Sequence, residues 1–321
     1  MTPLLPIFHL LSPANENGRL SVLIFHRILA TSDPLFPGEP DAQCFDDILV
    51  WMKSWFNVLP LDEAVARLQT RSLPPRAAAI TFDDGYADNY HVALPILKKH
   101  GLSATFFVAT GFLDGGIMWN DAIVEAVRRA PGNKLDFGSL HLGTYRITTP
   151  IERRTTIDAL ISKIKYLDPG ERQELVERCV DATGSILPSD LMMTSLEVRA
   201  LRKAGMLVGA HTVTHPILAR TPSSAAKQEI IGSKKFLEGI LGESVLLFAY
   251  PNGKPGADYG TEHVEMVREA GFSLAMSTAW GAARDPQNLY EIPRFTPWDR
   301  SKFRFGLRMA QNLMRRHQLL V

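Results

Sequence analysis

The sequence predicts an α/β protein whose parallel strands form a distorted (β/α) barrel of about seven strands. Short apolar or β-branched runs alternate along the chain with segments of helical periodicity. Several of these runs are followed at once by residues that can bind metals or transfer protons, at positions 26, 83–84, 211, 250 and 294. Because the parallel strands of a barrel all end on one face, we expect these distant positions to meet there.

The individual elements follow from the spacing of apolar residues. Continuous apolar or β-branched runs are typical of strands buried in a parallel sheet, and apolar positions three and four residues apart are typical of helices. The predicted strands are 21–25, 56–59, 78–82, 104–108, 206–210, 245–249, 272–276 and 289–292. The predicted helices are 44–55, 61–68, a segment ending at 100, 119–130, 151–167, 169–182, 196–203, 223–241, 262–270 and 303–317.

The alternation of strands and helices is interrupted once. From about residue 115 to residue 194 the pattern is mainly helical, with a weak hairpin pattern around 140–147. We interpret this stretch as an insertion that packs on the main domain, and the whole chain, 1–321, as a single domain.

The composition is that of an ordinary globular protein with a sizeable core. Of the 321 residues, 45% are hydrophobic and 21% are charged, and the formal net charge is +1. So balanced a charge gives no indication of a nucleic-acid partner. Cys44 and Cys179 are the only cysteines, which excludes a disulfide framework, and neither belongs to a CxxC pair.

The N-terminal segment bears on the location of the protein. Residues 1–11 are apolar but include two prolines and have no basic region ahead of them. We therefore expect no signal peptide, and hence a cytoplasmic protein. No stretch approaches the ~20 apolar residues of a transmembrane helix.

Asp84, His211 and His215 form a candidate metal site with two histidines and one carboxylate. Three protein ligands leave positions open for water and substrate, as a catalytic metal site requires. Pro216 places His215 outside a helix, because the residue before a proline is biased away from helical geometry. The alternatives are that 83–85 is only a polar turn and that the histidines face solvent, but finding both stretches at strand ends favours the metal site.

Three stretches resemble motifs of the polysaccharide deacetylase family (NodB homology, carbohydrate esterase 4). Residues 81–85, Thr-Phe-Asp-Asp-Gly, resemble its first motif, and residues 211–215, His-Thr-Val-Thr-His, resemble its second. Residues 248–253, Phe-Ala-Tyr-Pro-Asn-Gly, resemble its third motif in a variant form. Together with the stretches around His26 and Arg294 that are described below, the resemblance spans roughly residues 21–294, which is most of the chain.

The resemblance implies roles for single residues. Asp84, His211 and His215 would bind one divalent metal ion, usually Zn²⁺. Asp83 would be the general base that takes a proton from the attacking water.

The resemblance also implies the reaction and the partner. The backbone amide near Tyr250 and Pro251, together with the metal, would stabilise the oxyanion. The reaction would be the hydrolysis of an N-acetyl group on an amino sugar, so the implied partner is an N-acetylated glycan.

The chain departs from the family pattern in two places. Ala249 occupies the position at which many members carry an arginine, and we find no match to the C-terminal Leu-x-His motif. His26, in the stretch 22–27, resembles a Tyr-His-Arg motif of members whose motif order is circularly rearranged, where this histidine is the general acid. A structural histidine at the end of a strand is the alternative.

Two further residues are candidates for the active site. Arg294 is a candidate to replace the missing arginine and orient Asp83, and the alternatives are a plain salt bridge or a surface arginine. Trp119, in a Trp-Asn-Asp stretch that resembles a feature of the same branch, is a candidate to line the substrate groove. The alternative is a tryptophan packed at the start of a helix.

The last predicted helix has a basic side formed by Arg308, Arg315 and Arg316. This side is a candidate for peripheral contact with a membrane, although a solvated helix face is the commoner meaning of such a pattern.

We therefore predict a metal-dependent hydrolase that removes N-acetyl groups from amino sugars of a polysaccharide or its precursor. Two alternatives stay open. One is a hydrolase of the same fold that acts on a small N-acyl or cyclic amide, and the other is a non-catalytic carbohydrate-binding protein.

Overall fold

A computed structural model describes residues 4–284, 287–297 and 299–315, and its centre is a seven-stranded, parallel, curled sheet. Six strands follow the order β1-β3-β4-β7-β8-β9, and β2 pairs with the first part of β3. The strands are β1 (Leu20–Phe25), β2 (Asn57–Val58), β3 (Ala77–Phe82), β4 (Thr105–Val108), β7 (Leu207–Ala210), β8 (Leu247–Ala249) and β9 (Leu274–Met276). The predicted distorted barrel of about seven parallel strands is thus confirmed.

The two edges of the sheet are joined by short backbone bridges. Ile292 bridges to Met276 of β9, and Phe295 bridges to Leu23 of β1. The predicted strand 289–292 is therefore reduced to a bridging segment. Arg294 lies in this segment, between the two bridging residues, and is therefore next to both the first and the last strand of the sheet.

Helices surround the sheet and form the insertion. They are α1 (Leu5–Leu11), α2 (Ala42–Trp55), α3 (Leu61–Gln69), α4 (Leu94–His100), α5 (Trp119–Arg129), α6 (Pro150–Ile164), α7 (Pro169–Thr183), α8 (Ser195–Lys203), α9 (Ser223–Leu241), α10 (Thr261–Glu269) and α11 (Lys302–Met314). Within the described residues, no helix has both the length and the apolar character needed to cross a bilayer.

The insertion has a hydrophobic cluster of its own. Its hairpin, β5 (Lys134–Phe137) with β6 (Gly143–Arg146), begins earlier than the sequence predicts. The hairpin packs with α5, α6 and α7 around residues such as Ile157 and Leu160, and Leu35 from the main part of the chain joins them. The return of the insertion is bonded to the chain after β3, because the amide of Met193 donates to the carbonyl of Gly85.

The two ends of the chain pack together. Sequence analysis did not predict α1; its one proline, Pro6, lies in the first turn, where a missing amide hydrogen costs nothing. Phe8 of α1 contacts the ring of Trp55, which in turn stacks on Phe305 of α11.

The proposed basic side of α11 is occupied in part. Arg308 pairs with Asp299, and the guanidinium of Arg315 lies 4.5 Å from the ring centre of Trp280. Arg316 lies outside the described residues. Contact of this helix with a membrane stays a prediction.

Candidate active site

The end of β3 presents two adjacent carboxylates on an unusual backbone. The amide of Asp83 still donates to the carbonyl of Phe25 in β1 at 2.9 Å. Asp84 then turns to φ 75° and Gly85 to φ 90°. A left-handed conformation is costly for most residues but is tolerated by aspartate and favoured by glycine. The turn therefore holds Asp84 at the strand end, buried against its neighbours.

The loop after β7 carries the two histidines in a similarly constrained conformation. His211 follows the strand directly, and its Nδ1–H donates to the carbonyl of Ala249 at 2.7 Å. In the neutral imidazole this bond leaves the lone pair on Nε2, the tautomer that a metal ligand needs. Thr212 has φ 64° and His215 has φ 54°, and the amide of His215 donates to Oγ1 of Thr212 at 3.1 Å.

These loops bring the three predicted metal ligands together. Nε2 of His211 lies 3.5 Å and Nε2 of His215 lies 3.4 Å from the same oxygen, Oδ1 of Asp84. One ligand atom from each of the three residues lies within 4.8 Å of the other two. Oδ1 of Asp84 is buried and has no hydrogen-bond partner within the described part of the chain. A buried, unpaired oxygen facing two imidazole nitrogens fits a divalent cation.

Asp83 is held differently, by Arg294. Its two oxygens accept hydrogen bonds of 2.6 and 2.7 Å from Nη1 and Nη2 of Arg294. Arg294 is completely buried, and its Nε donates to the carbonyl of Ser277 at 3.1 Å. The structure thus places Arg294 in the orienting position that sequence analysis suggested for it.

The protonation states of the cluster suit a cation. Burial would raise the pKa of Asp84, but the facing imidazoles of His211 and His215 outweigh it, and that pKa is lowered. Burial lowers the pKa of His215 to about 4. At neutral pH a charged Asp84 and an uncharged His215 are therefore ready to bind a metal.

The other two members of the cluster are coupled to each other. Burial would raise the pKa of Asp83, but the charge of Arg294 outweighs it, and that pKa is lowered. Burial would lower the pKa of His211, but the charges of Asp83 and Asp84 raise it. Since a metal ligand must be unprotonated, binding of a cation at His211 would release a proton.

Glu229 of α9 positions the histidine loop and was missed by sequence analysis. Its carboxylate accepts hydrogen bonds from the amides of Val213 and Thr214 at 2.8 and 2.7 Å, and from the hydroxyl of Thr214 at 2.7 Å. It therefore fixes the backbone between the two histidine ligands. No sequence signal could have found it, because a glutamate within a helix is ordinary.

His26 stands at the end of β1 on the same face. Its carbonyl accepts a hydrogen bond of 2.8 Å from Nδ2 of Asn89, and its side chain is exposed. Phe25, directly before His26, pairs with Phe82, directly before Asp83, in two adjacent parallel strands. His26 is thus near the cluster, while its role as general acid stays a prediction.

The predicted oxyanion donor requires a correction. The amide of Tyr250 donates to the carbonyl of Met276 at 3.1 Å within the sheet, and the ring of Tyr250 is buried and stacked on Tyr259. Pro251 has no amide hydrogen. Asn252 comes next, and its amide has no hydrogen-bond partner in the described part of the chain. The candidate donor is therefore Asn252, not Tyr250.

Trp119 packs at the start of a helix. It begins α5 and lies against the hydrophobic cluster of the insertion, with the guanidinium of Arg172 5.1 Å from its ring centre. This packing agrees with the alternative interpretation, while contact of Trp119 with the substrate stays a prediction. Trp119 belongs to the insertion and supports Arg172.

Asp121, two residues further on, is a buried acid that sequence analysis did not single out. It accepts a hydrogen bond of 2.9 Å from the hydroxyl of Tyr86, and burial raises its pKa to about 7. The guanidinium of Arg27 lies 4.9 Å from the ring centre of Tyr86. This group of side chains ties the insertion to the segments that follow β1 and β3.

The fold and the site define a family. The family model described as polysaccharide deacetylase matches residues 70–140 and 173–275, which is more than half of the chain. The chain therefore belongs to the polysaccharide deacetylase family, as the motifs indicate. His26 and Arg294 lie outside the matched residues.

Individual relatives are distant in sequence. The chain is similar to "Putative polysaccharide deacetylase YxkH" of Bacillus subtilis (strain 168), with 19% identity over 279 residues that cover 86% of this chain and 71% of the relative. Among solved structures it is similar to the deacetylase PplD of Streptococcus pyogenes, with 19% identity, a TM-score of 0.59, and coverage of 92% of this chain and 98% of the other. It is also similar to IcaB from Ammonifex degensii, with 18% identity, a TM-score of 0.59, and coverage of 93% and 98%. At these identities the solved structures support the fold alone.

Proposed function

We propose that the protein is a metal-dependent hydrolase that removes N-acetyl groups from amino sugars of a polysaccharide or its precursor, with Zn²⁺ as the native ion. The observation that carries the proposal is the buried cluster of Asp84, His211 and His215 beside the arginine-bound Asp83. Because the chain belongs to the polysaccharide deacetylase family, we assign the hydrolysis of N-acetyl groups to this cluster.

Each residue has a chemical task in this proposal. Asp84, His211 and His215 hold the ion, which when bound supplies Lewis acidity for water and for a carbonyl oxygen. Asp83 takes a proton from the attacking water, and Arg294 keeps it ionised and aimed.

The groups opposite Asp83 complete the reaction. The amide of Asn252 donates a hydrogen bond to the oxyanion that forms from the acetyl carbonyl. His26 donates a proton to the departing nitrogen, because an amide anion is a very poor leaving group and an imidazolium has a pKa near neutrality.

The surroundings of the site support a glycan over a small amide. His215 is the most accessible of the three ligands, with 21% of its side chain exposed. A cleft of about 240 Å³ begins directly after it at Pro216, and a larger one of about 580 Å³ is lined by Arg27, next to His26. These two clefts, each lined by a sequence neighbour of a site residue, offer space for a chain of sugars.

Acetate release from a panel of N-acetylated glycans tests the proposal. We expect at least one glycan to release acetate, the activity to disappear on removal of metal by a chelator, and one equivalent of Zn²⁺ to restore it. Metal content is measured in the same samples. Release from a small N-acyl amide but from no glycan would favour the same-fold hydrolase, and absence of bound metal would contradict the proposal.

A further inference from the structure

A cleft beside the metal centre carries an unusual set of charges. We call it the basic cleft, and it is lined by residues of the α6–α7 connection and of the loop after His215: Lys165, Tyr166, Leu167, Asp168, Pro169, Arg172, Pro216, Ile217, Arg220 and Thr221. Because Pro216 follows His215 directly, a glycan bound at the metal centre would extend into this cleft.

Three cations of the basic cleft have no acidic partner in the described part of the chain. The guanidinium of Arg220 lies 4.5 Å and Nζ of Lys165 lies 5.6 Å from the ring centre of Tyr166, whereas Arg172 lies over Trp119. Burial lowers the pKa of Arg172, and no neighbouring carboxylate offsets this effect. A half-buried guanidinium without a counter-charge is costly unless a ligand supplies one.

The larger cleft shows that the protein elsewhere neutralises such cations. We call it the salt-bridged cleft, and in it Arg27 pairs with Asp88 at 2.7 Å and Arg128 pairs with Asp33 at 2.6 Å. Arg129 pairs with Glu125 at 3.0 Å. Among the described residues that line the basic cleft, Asp168 is the only acid, and its exposed side chain forms no ion pair with Arg172.

The start of α7 forms one wall of the cleft and has acids of its own. Asp168 stands at the N-cap and Glu171 in the first turn, so the positive character of the cleft comes from its arginines and its lysine. Tyr166, with 61% of its surface exposed, adds an aromatic surface against which a sugar ring can pack.

We infer that the basic cleft binds an anionic substituent, a carboxylate or a phosphate, on a sugar near the N-acetyl group that is hydrolysed. The substrate is then an acidic N-acetylated glycan, with Arg172 and Arg220 as its specificity determinants. The inference rests on the proposed function, since that function places the glycan at the metal centre.

Three tetrasaccharides test this inference. One is made of N-acetylglucosamine alone, one carries a 6-phosphate, and one alternates N-acetylglucosamine with glucuronic acid. We expect one of the acidic compounds to bind more tightly than the neutral one and to have a higher kcat/KM, because its KM is lower. This preference should weaken as the salt concentration is raised. The phosphate and the carboxylate arms show which anion is bound.

The double variant Arg172→Met, Arg220→Met removes both charges and keeps much of the apolar stem over the aromatic rings. We expect the ratio of kcat/KM for the acidic and the neutral compound to fall roughly tenfold, the loss of about one charge-assisted contact. Arg178→Met is the matched control, because Arg178 is exposed on the same helix and does not line the cleft. Thermal unfolding of each variant shows that it is folded.

The outcomes separate this inference from the proposed function. Preferential binding of the acidic compounds that is lost in the double variant, without acetate release, supports the cleft and contradicts the reaction. Acetate release with equal kcat/KM for all three compounds, or a ratio unchanged in the double variant, overturns the inference and leaves the reaction standing. Loss of binding to phosphatidylglycerol vesicles in the double variant, without any preference among glycans, would assign the cleft to a membrane surface and also overturn it.

Discussion

Asp83 and Asp84 are neighbours in the sequence but belong to opposite halves of the site. Both oxygens of Asp83 are bound by the fully buried Arg294, whereas Oδ1 of Asp84 faces two histidine nitrogens and has no hydrogen-bond donor among the described residues. We call the first half the base side and the second half the ligand side. The difference teaches that burial alone does not define a carboxylate's task, because the charge placed next to it does.

The largest expected effect separates the two sides directly. Asp83→Asn removes the proton acceptor but leaves Asp84 and both histidines in place, so turnover should fall roughly 10²–10⁴-fold while bound metal is unchanged. Acetate release and elemental analysis measure the two quantities. The companion variant Asp84→Asn should instead lose the metal.

If a folded Asp83→Asn protein keeps wild-type turnover or loses its metal, then the assignment of Asp83 as the base and Asp84 as the metal ligand is wrong. Thermal unfolding is measured as well, because the variant leaves Arg294 buried beside an uncharged partner.

The second prediction concerns His26, which stands at the end of β1 next to the strand that carries Asp83 and Asp84. His26→Ala should lower turnover of an N-acetyl glycan by roughly 10²-fold without changing metal affinity, because the departing nitrogen then lacks a proton donor. An activated acetyl ester needs less help in leaving and should be affected much less. Equal losses on amide and ester would assign His26 a structural role only.

Glu229 sharpens the description of the ligand side. Glu229→Gln keeps the size of the side chain but weakens its bonds to the amides between the histidines, so metal affinity should fall roughly 10–100-fold, as for other residues that orient metal ligands. Competition with a chelator measures the affinity. Gln228→Ala, at an exposed position of the same helix, is the control. An unchanged affinity would mean that the histidine loop holds its shape without Glu229.

Arg294 tests the base side. Arg294→Lys keeps a positive charge but cannot form the two parallel bonds, so Asp83 should be less well oriented and turnover should fall by roughly tenfold. Arg294 lowers the pKa of Asp83 in the folded protein. Its weakening should therefore raise that pKa and move the acidic limb of the pH profile of kcat/KM to higher pH. A profile that does not move would contradict control of Asp83 by Arg294.

Asp121 is a buried carboxylic acid that forms no ion pair among the described residues. We expect its titration to affect the free energy of unfolding. Burial raises its pKa in the folded state to about 7, above the unfolded value. Its contribution to stability is therefore complete below about pH 4 and is lost as the pH rises toward about 7. In the Asp121→Asn variant the side chain stays uncharged at every pH. As the pH rises from 4 to 7, the free energy of unfolding of the variant should therefore fall less than that of the wild type. Urea unfolding at several pH values measures this, and parallel curves would contradict it.

Much of the fold and the metal site could be predicted, because both depend on local patterns. Continuous apolar runs located the strands, and the positions directly after β3 and β7 identified Asp84, His211 and His215. Two elements differ from the prediction, also for local reasons: α1 was not predicted, and the strand predicted at 289–292 is only a bridging segment. Pro6 lies in the first turn of α1, and 289–292 is too short to form more than a bridge between the sheet edges.

The sequence by itself determined which residue types stand at the strand ends, since strand periodicity and turn residues are local properties. Only the tertiary structure decided which partner each group meets. Arg294 reaches Asp83 across 211 residues, the sheet occupies the amide of Tyr250 and leaves that of Asn252, and the insertion draws Trp119 into its own cluster. A hydrogen-bonding group can be occupied by one neighbour or left free for a ligand, and that choice depends on which segments approach it in space.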